Sequence, residues 1–350
     1  MSDFKDEMQA TQVKWKSALP KPAQRQGRHN GKHYDHVLPE ALWEENLWSG
    51  IRSGTDDSLP EYLEEFGIQR HTGTHNLLSS WVVCANLYFP FRRRSEDRAQ
   101  LGAFLRQTVA PEIAEVTGVE LEYQLPEVEL GPTKLLGEHD GKRGSGQTSP
   151  DVAFLVSTKA GKGLVLTESK FTEHSFYPCS ARKTGKGKKG EEGRPPNPKP
   201  ERCMKALAVL DSPASQCHQE HREWGRRSWD HLAPVANRER FAELACCPAA
   251  RHGYQLLRQQ ALAEGVAASG KYDLVVSAVA YDGRNDVLPK SLKRTGIPSI
   301  EAWGSLFKGK ARFSTFTHQA WVAWVRAHAA GRWSSWLGYV ESRYGFGPVT

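Results

Sequence analysis

Ser149-Pro150-Asp151-Val152-Ala153-Phe154-Leu155-Val156-Ser157 is followed, after a short return, by Gly163-Leu164-Val165-Leu166-Thr167-Glu168-Ser169-Lys170-Phe171-Thr172. Both runs have strand length and are rich in Val, Leu and Phe, and Ala160-Gly161-Lys162-Gly163 between them suits a hairpin return, so two neighbouring strands are expected. Alternate side chains of a strand share a face, so Glu168 and Lys170 point one way and Ser169 and Phe171 the other. The apolar neighbours Leu164, Val165, Leu166 and Phe171 put this charged pair at the end of a buried strand. A carboxylate and an ammonium are costly there unless they pair, bind metal or serve chemistry. Asp151 begins the preceding strand, and the hairpin carries it beside them.

Asp151, Glu168 and Lys170 together have a chemical reading. Two carboxylates are hard oxygen ligands suited to Mg²⁺, which retains several waters and accepts phosphate oxygens. Such a metal would polarise a scissile phosphate and acidify a bound water. Lys170 would orient that water or stabilise charge developing on the phosphate.

Working outward, Pro60 to Phe66 reads as a short helix, His75 to Tyr88 as a helix buried on more than one face, and Asp97 to Val116 as an amphipathic helix kinked or divided at Pro111. Val119 to Leu125 alternates as a strand, with Leu121 and Tyr123 opposing Glu120 and Glu122. Downstream, Tyr254 to Ala268 is a helix of good formers and Tyr272 to Tyr281 a buried strand. A helix near Ile300 to Phe307, a strand at Ala311 to Phe316, and helices at His318 to Ala330 and Trp333 to Tyr344 complete the chain. The core order is α-β-β-β-(insertion)-α-β, an α/β layered fold with a mixed central sheet and C-terminal helices. Residues 1–65 form a polar N-terminal extension, and 66–350 the main domain with an insertion at about 175–250. The helical spacing of Trp321, Trp324, Trp333, Trp336, Tyr339 and Tyr344 favours core packing over base stacking.

The chain of 350 residues carries 39% hydrophobic residues and a net charge of +7. That composition supports a packed core and excludes wholesale disorder. No apolar run reaches the roughly 18 residues of a membrane span, and Met1 to Glu7 holds no secretory h-region, so no membrane partner and a cytoplasmic location are expected. The charge is concentrated. Nine Lys or Arg face three Glu between Arg182 and Lys205, nearly the whole excess. Arg182, Lys183, Lys186, Lys188 and Lys189 therefore suit a polyanionic partner, because each neutralised phosphate releases counterions.

At Pro150-Asp151 and Glu168-Ser169-Lys170 the sequence resembles the PD-(D/E)xK nuclease superfamily, and its element order resembles that superfamily's αβββαβ core. Tyr254-Gln255-Leu256-Leu257-Arg258-Gln259-Gln260 looks like the Gln-bearing helix of RecB-like members. Ser79-Ser80, Asn86-Leu87, Gln147-Thr148-Ser149 and Glu168 to Glu173 look like a restriction-endonuclease-like bacterial branch. The resemblance implies a Mg²⁺-dependent endonuclease acting on DNA, with Asp151 and Glu168 as metal ligands and Lys170 assisting the water. A restriction, phage-defence or mobile-element nuclease fits; a non-catalytic nucleic-acid-binding relative, a repair exonuclease and an RNase of the same fold stay open, and a homodimer is the candidate assembly. Many members carry a further Glu on the first core helix. His75 to Tyr88 has no acid, so Glu122 and Glu138 are the candidate substitutes. Gln255 and Arg258, three apart on one helix face, are candidate auxiliaries.

Six Cys without a secretory signal do not suggest a disulfide framework. Five of them, Cys179, Cys203, Cys217, Cys246 and Cys247, cluster in the insertion, which has few apolar residues for a core of its own. Cys179, Cys203, Cys217 and one of Cys246 or Cys247 would suit a structural Zn²⁺ or an iron–sulfur cluster, although no CxxC pair is present. Free buried thiols are the alternative, and Cys84 in the apolar helix is read as core.

Overall fold

The computed structural model describes residues 3–139, 141–182, 197–220 and 224–348. Its centre is a five-stranded sheet built from β1 (Glu115–Leu121), β2 (Val152–Ser157), β3 (Lys162–Lys170), β4 (Leu274–Tyr281) and β5 (Arg312–Thr317), ordered in space as in sequence. The first three strands form an antiparallel meander, while β3–β4 and β4–β5 pair in parallel, so the sheet is mixed. The β2–β3 hairpin registers Val152 against Thr167, and β3 registers Glu168 against Val279 of β4. All of β3 except Lys162 is buried, as a central strand covered on both faces requires.

The six principal helices are α1 (Phe4–Lys16), α2 (Leu59–Glu65), α3 (Ser80–Tyr88), α4 (Ser95–Thr108), α5 (Tyr254–Ala268) and α6 (His318–Tyr344). Alternation along the strands sorts the core into two layers. Val165, Phe154 and Phe171 join α3, α4 and α6 on one face; Leu164, Leu166 and Ala153 join α5 on the other. The C-terminal aromatics are core, with Trp321, Trp336 and Tyr344 fully buried. α6 is interrupted by non-helical backbone at Ala329 and Trp333, where the sequence divides the two expected helices.

Three elements differ from their expected limits. α4 ends at Thr108 rather than continuing to Val116. Pro111 has no N–H to offer a helix and disfavours helical backbone at Ala110, and Glu115 already pairs with Ser157 as the start of β1. β1 accordingly runs earlier than 119–125, and it ends because Glu122 adopts φ 46°, off the extended path. α3 starts only at Ser80, where the Ser79 hydroxyl accepts the Val82 N–H, instead of at His75.

The N-terminal residues pack into the same body. Leu47, Ile51, Leu59 and Leu63 belong to the α3/α6 layer. The Lys16 ammonium donates to the carbonyl oxygens of Arg25, Asp35 and Val37 at 2.7–2.8 Å, tying α1 to a small hairpin of Gly27–His29 and Lys32–Tyr34. The Gln12 amide donates to the Arg343 carbonyl at 2.7 Å, docking α1 on α6. The insertion does not need a core of its own: Trp229, Leu232 and Phe241 from its short helices enter the α5 layer. Among the described residues no helix is long and apolar enough to cross a membrane.

Candidate active site

The expected trio assembles where β2 begins and β3 ends. Asp151 stands immediately before β2, and its carboxylate accepts the Ser169 N–H at 2.7 Å, fastening it across to β3. Glu168 and Lys170 extend to the same side of the strand and form an ion pair with Nζ–Oε1 of 2.7 Å; they are 8% and 2% exposed. Ser169 and Phe171 face the opposite layer, as alternation requires, with the Ser169 hydroxyl donating to the Ser80 carbonyl and Phe171 edge-on to Tyr344. The strand end is held from behind. The Lys170 carbonyl accepts from the Asp282 N–H at 3.0 Å and lies 3.1 Å from His318 Nε2. Since a carbonyl only accepts, Nε2 carries the imidazole proton and Nδ1 accepts from the Tyr88 hydroxyl at 2.9 Å.

A pocket of about 650 Å³ opens over Asp151, Glu168 and Lys170. Glu173, Tyr177 and Gln255 line one part of it, whereas Lys5, Gln9, His29 and Tyr34 bring the N-terminal helix and hairpin to another. The sequence reading did not place any N-terminal residue at the site. No local pattern in residues 5–34 signals it, because it arises from the docking of α1 on α6. Glu173 was likewise missed as a site residue; its carboxylate accepts the Phe171 N–H at 2.7 Å and its charge acts on Lys170.

The electrostatics are those of crowded carboxylates. Burial, then the charge of Glu168, pushes the Asp151 carboxyl well above its ordinary range, and Glu122 adds to the effect. Glu122, 7% exposed, is itself pushed up to about 7, chiefly by burial and also by Glu168. Burial alone would lower Lys170, but Glu168, Glu173 and Asp151 outweigh it and hold the ammonium above its ordinary value. Lys170 is therefore a hydrogen-bond donor and fixed positive charge, not a proton acceptor.

The auxiliary candidates separate by position. Glu122 adjoins the cluster through its backbone, whose N–H donates to the Asp151 carbonyl at 3.1 Å. Glu138 does not line the pocket. Its carboxylate accepts the Thr148 hydroxyl at 2.7 Å and pairs with Arg258 at 3.2 Å, and Arg258 Nε also donates to Thr148 at 2.8 Å. Glu138 and Arg258 thus brace the loop leading into Pro150-Asp151. Gln255 does reach the pocket. Gln259, one turn on, donates to the Leu166 carbonyl, the Ser277 hydroxyl and the Ala278 carbonyl, clamping β3 to β4 beneath the site.

Two carboxylates fit a hard divalent cation: they sit on neighbouring strands, the charge of Glu168 raises the proton affinity of Asp151, and both face a pocket with space for the waters Mg²⁺ keeps. Among the described residues no group of three or more His, Cys, Asp or Glu is arranged as a metal site. The basic run falls mostly outside the described residues, which exclude Lys183, Lys186, Lys188 and Lys189; Arg182 is exposed and donates to the Ala250 carbonyl at 3.1 Å. Of the insertion's cysteines, Cys179, Cys203, Cys217 and Cys247 line one small cavity, and Cys246 is not among its walls.

No curated protein and no solved structure matches the chain. The family model described as "Restriction Endonuclease associating with ARP" does match, over residues 8–345, and the chain belongs to that restriction-endonuclease family.

Proposed function

We propose that the protein is a Mg²⁺-dependent endonuclease of the PD-(D/E)xK type that hydrolyses DNA phosphodiester bonds. The observation carrying this reading is the meeting of Asp151, Glu168 and Lys170 at one pocket, on adjacent strand ends, from positions 17 and 19 residues apart in sequence. The family supports the same class of substrate. The sheet order, three antiparallel strands then a parallel one reached through α5, is that expected of the αβββαβ core.

Asp151 and Glu168 would hold the cation. When bound, it would polarise the scissile phosphate and lower the proton affinity of a coordinated water. The chain's own groups do the rest. The Ser169 N–H fixes one Asp151 oxygen, leaving the other free to aim into the pocket. Lys170, kept protonated by its three acidic neighbours, orients the attacking water and stabilises negative charge accumulating on the phosphate. Glu138 and Arg258 maintain the approach of the loop that delivers Asp151.

Purified protein incubated with plasmid and with short linear DNA, with and without Mg²⁺, tests the proposal. Nicking or linearisation that requires Mg²⁺ and is lost in Asp151→Ala and Glu168→Ala is the expected result. Full cleavage by Asp151→Ala would remove this site from consideration, and DNA binding without cleavage at any divalent ion would favour the non-catalytic relative.

A further inference from the structure

We propose that Cys179, Cys203, Cys217 and Cys247 bind one Zn²⁺ ion, which fastens the insertion to the α5 layer of the core. The four side chains come from a span of nearly seventy residues, yet all line a single cavity of about 20 Å³. That volume accommodates roughly one water-sized sphere, enough for one ion once sulfurs close on it.

The backbone already holds the four cysteines in place. The Cys247 N–H donates to the Cys203 carbonyl and the Cys179 N–H to the Ala249 carbonyl, both at 2.8 Å. The turn at Cys217 is closed by the Glu220 N–H at 3.2 Å and anchored to α5 where the Gln219 amide donates to the Tyr254 hydroxyl at 2.9 Å. Cys246 provides an internal contrast. It neighbours Cys247 in sequence and is fully buried, but it does not line the cavity. Ordinary hydrophobic packing would give no reason to converge four thiols while diverting the fifth.

All six cysteines are free thiols, so no disulfide accounts for the grouping. Among the described residues no three His, Cys, Asp or Glu are yet arranged as a finished metal site. Binding would therefore draw the thiols inward, to sulfur–zinc distances of about 2.3 Å, with release of their protons. Soft thiolates in a set of four select zinc over the hard cation expected at the carboxylate pair.

The test uses full-length protein expressed in zinc-supplemented medium. Elemental analysis should find close to one zinc per chain, with a several-fold loss in Cys203→Ser and Cys247→Ser and none in Cys246→Ser. Because a Cys→Ser protein can fold poorly, wild-type protein stripped by chelation and reloaded with Co²⁺ gives an independent reading: tetrahedral d–d bands and a thiolate charge-transfer band, at one equivalent. Zinc should also shield four thiols from a thiol reagent. Metal-free protein that takes up no Co²⁺, equal zinc loss in Cys246→Ser, or iron with acid-labile sulfide would each overturn the assignment. None of these readings depends on nuclease activity.

Discussion

Replacing Glu122 by Gln should make the metal-free protein more stable at alkaline pH and leave it nearly unchanged at acid pH. Glu122 is buried beside Asp151 and Glu168, and Arg143, whose Nε donates to the Glu122 carbonyl at 2.8 Å, compensates its charge only in part. Its pKa rises from 4.5 to about 7 on folding. A carboxyl raised in this way favours the folded state while protonated. The penalty begins as pH climbs past 4.5, where the unfolded chain ionises, and is complete above about 7, where the folded one does. At about 1.4 kcal/mol per pH unit the rise amounts to about 3 kcal/mol. Gln resembles the protonated acid, so Glu122→Gln should exceed wild type by up to about 3 kcal/mol at pH 8 and by close to nothing at pH 4.5. Urea denaturation of both proteins across that range, with chelator present, measures the difference directly. The difference matters more than either profile alone, because other groups slope in the opposite sense. A gap between the two proteins that stays constant with pH would show that Glu122 does not share the buried acid cluster. Adding Mg²⁺ should narrow the gap, since a cation at Asp151 and Glu168 offsets the charge that raises Glu122.

Lys170→Met removes one partner of a buried pair and leaves Glu168 uncompensated; a stability loss of roughly 3 kcal/mol is expected at pH 8, together with loss of turnover, and wild-type stability in a denaturation series would contradict the pairing. His318 is pushed down to about 4 by burial, so its contribution is present above 6.5 and disappears as pH falls toward 4. Wild type should therefore lose about 3 kcal/mol relative to His318→Gln over that interval, read as the difference between two denaturation series. Replacing Lys183, Lys186, Lys188 and Lys189 with Ala should flatten the slope of log DNA affinity against log salt by up to roughly 0.9 for each phosphate no longer neutralised, and an unchanged slope would make the run a solubilising segment only.

The features legible in the sequence were those that depend on neighbours along the chain. Strand-length runs rich in Val, Leu and Phe with a Gly-bearing return specified β2 and β3, and side-chain alternation along a strand put Glu168 and Lys170 on one side and Ser169 on the other. The limits of α5 followed from a run dominated by helix formers, and its start at Tyr254 and end at Ala268 coincide with that expectation. Features set by long-range packing were not legible. Whether Cys246 or Cys247 faces the shared cavity depends on the hydrogen bond between Cys247 and Cys203, over forty residues away. Glu122 on the expected first strand and Glu138 before the Gly-rich loop were equal candidates, yet β1 ends beside Asp151 and places the first next to the acid cluster, while Arg258 claims the second. Lys5 and His29 reach the pocket only because α1 docks on a helix more than three hundred residues later, through Gln12 and Arg343. Local pattern determines which way a side chain leaves its own strand or helix; only the packed chain decides what it meets, because the free energy of that meeting belongs to pairs of distant surfaces and is written in neither one alone.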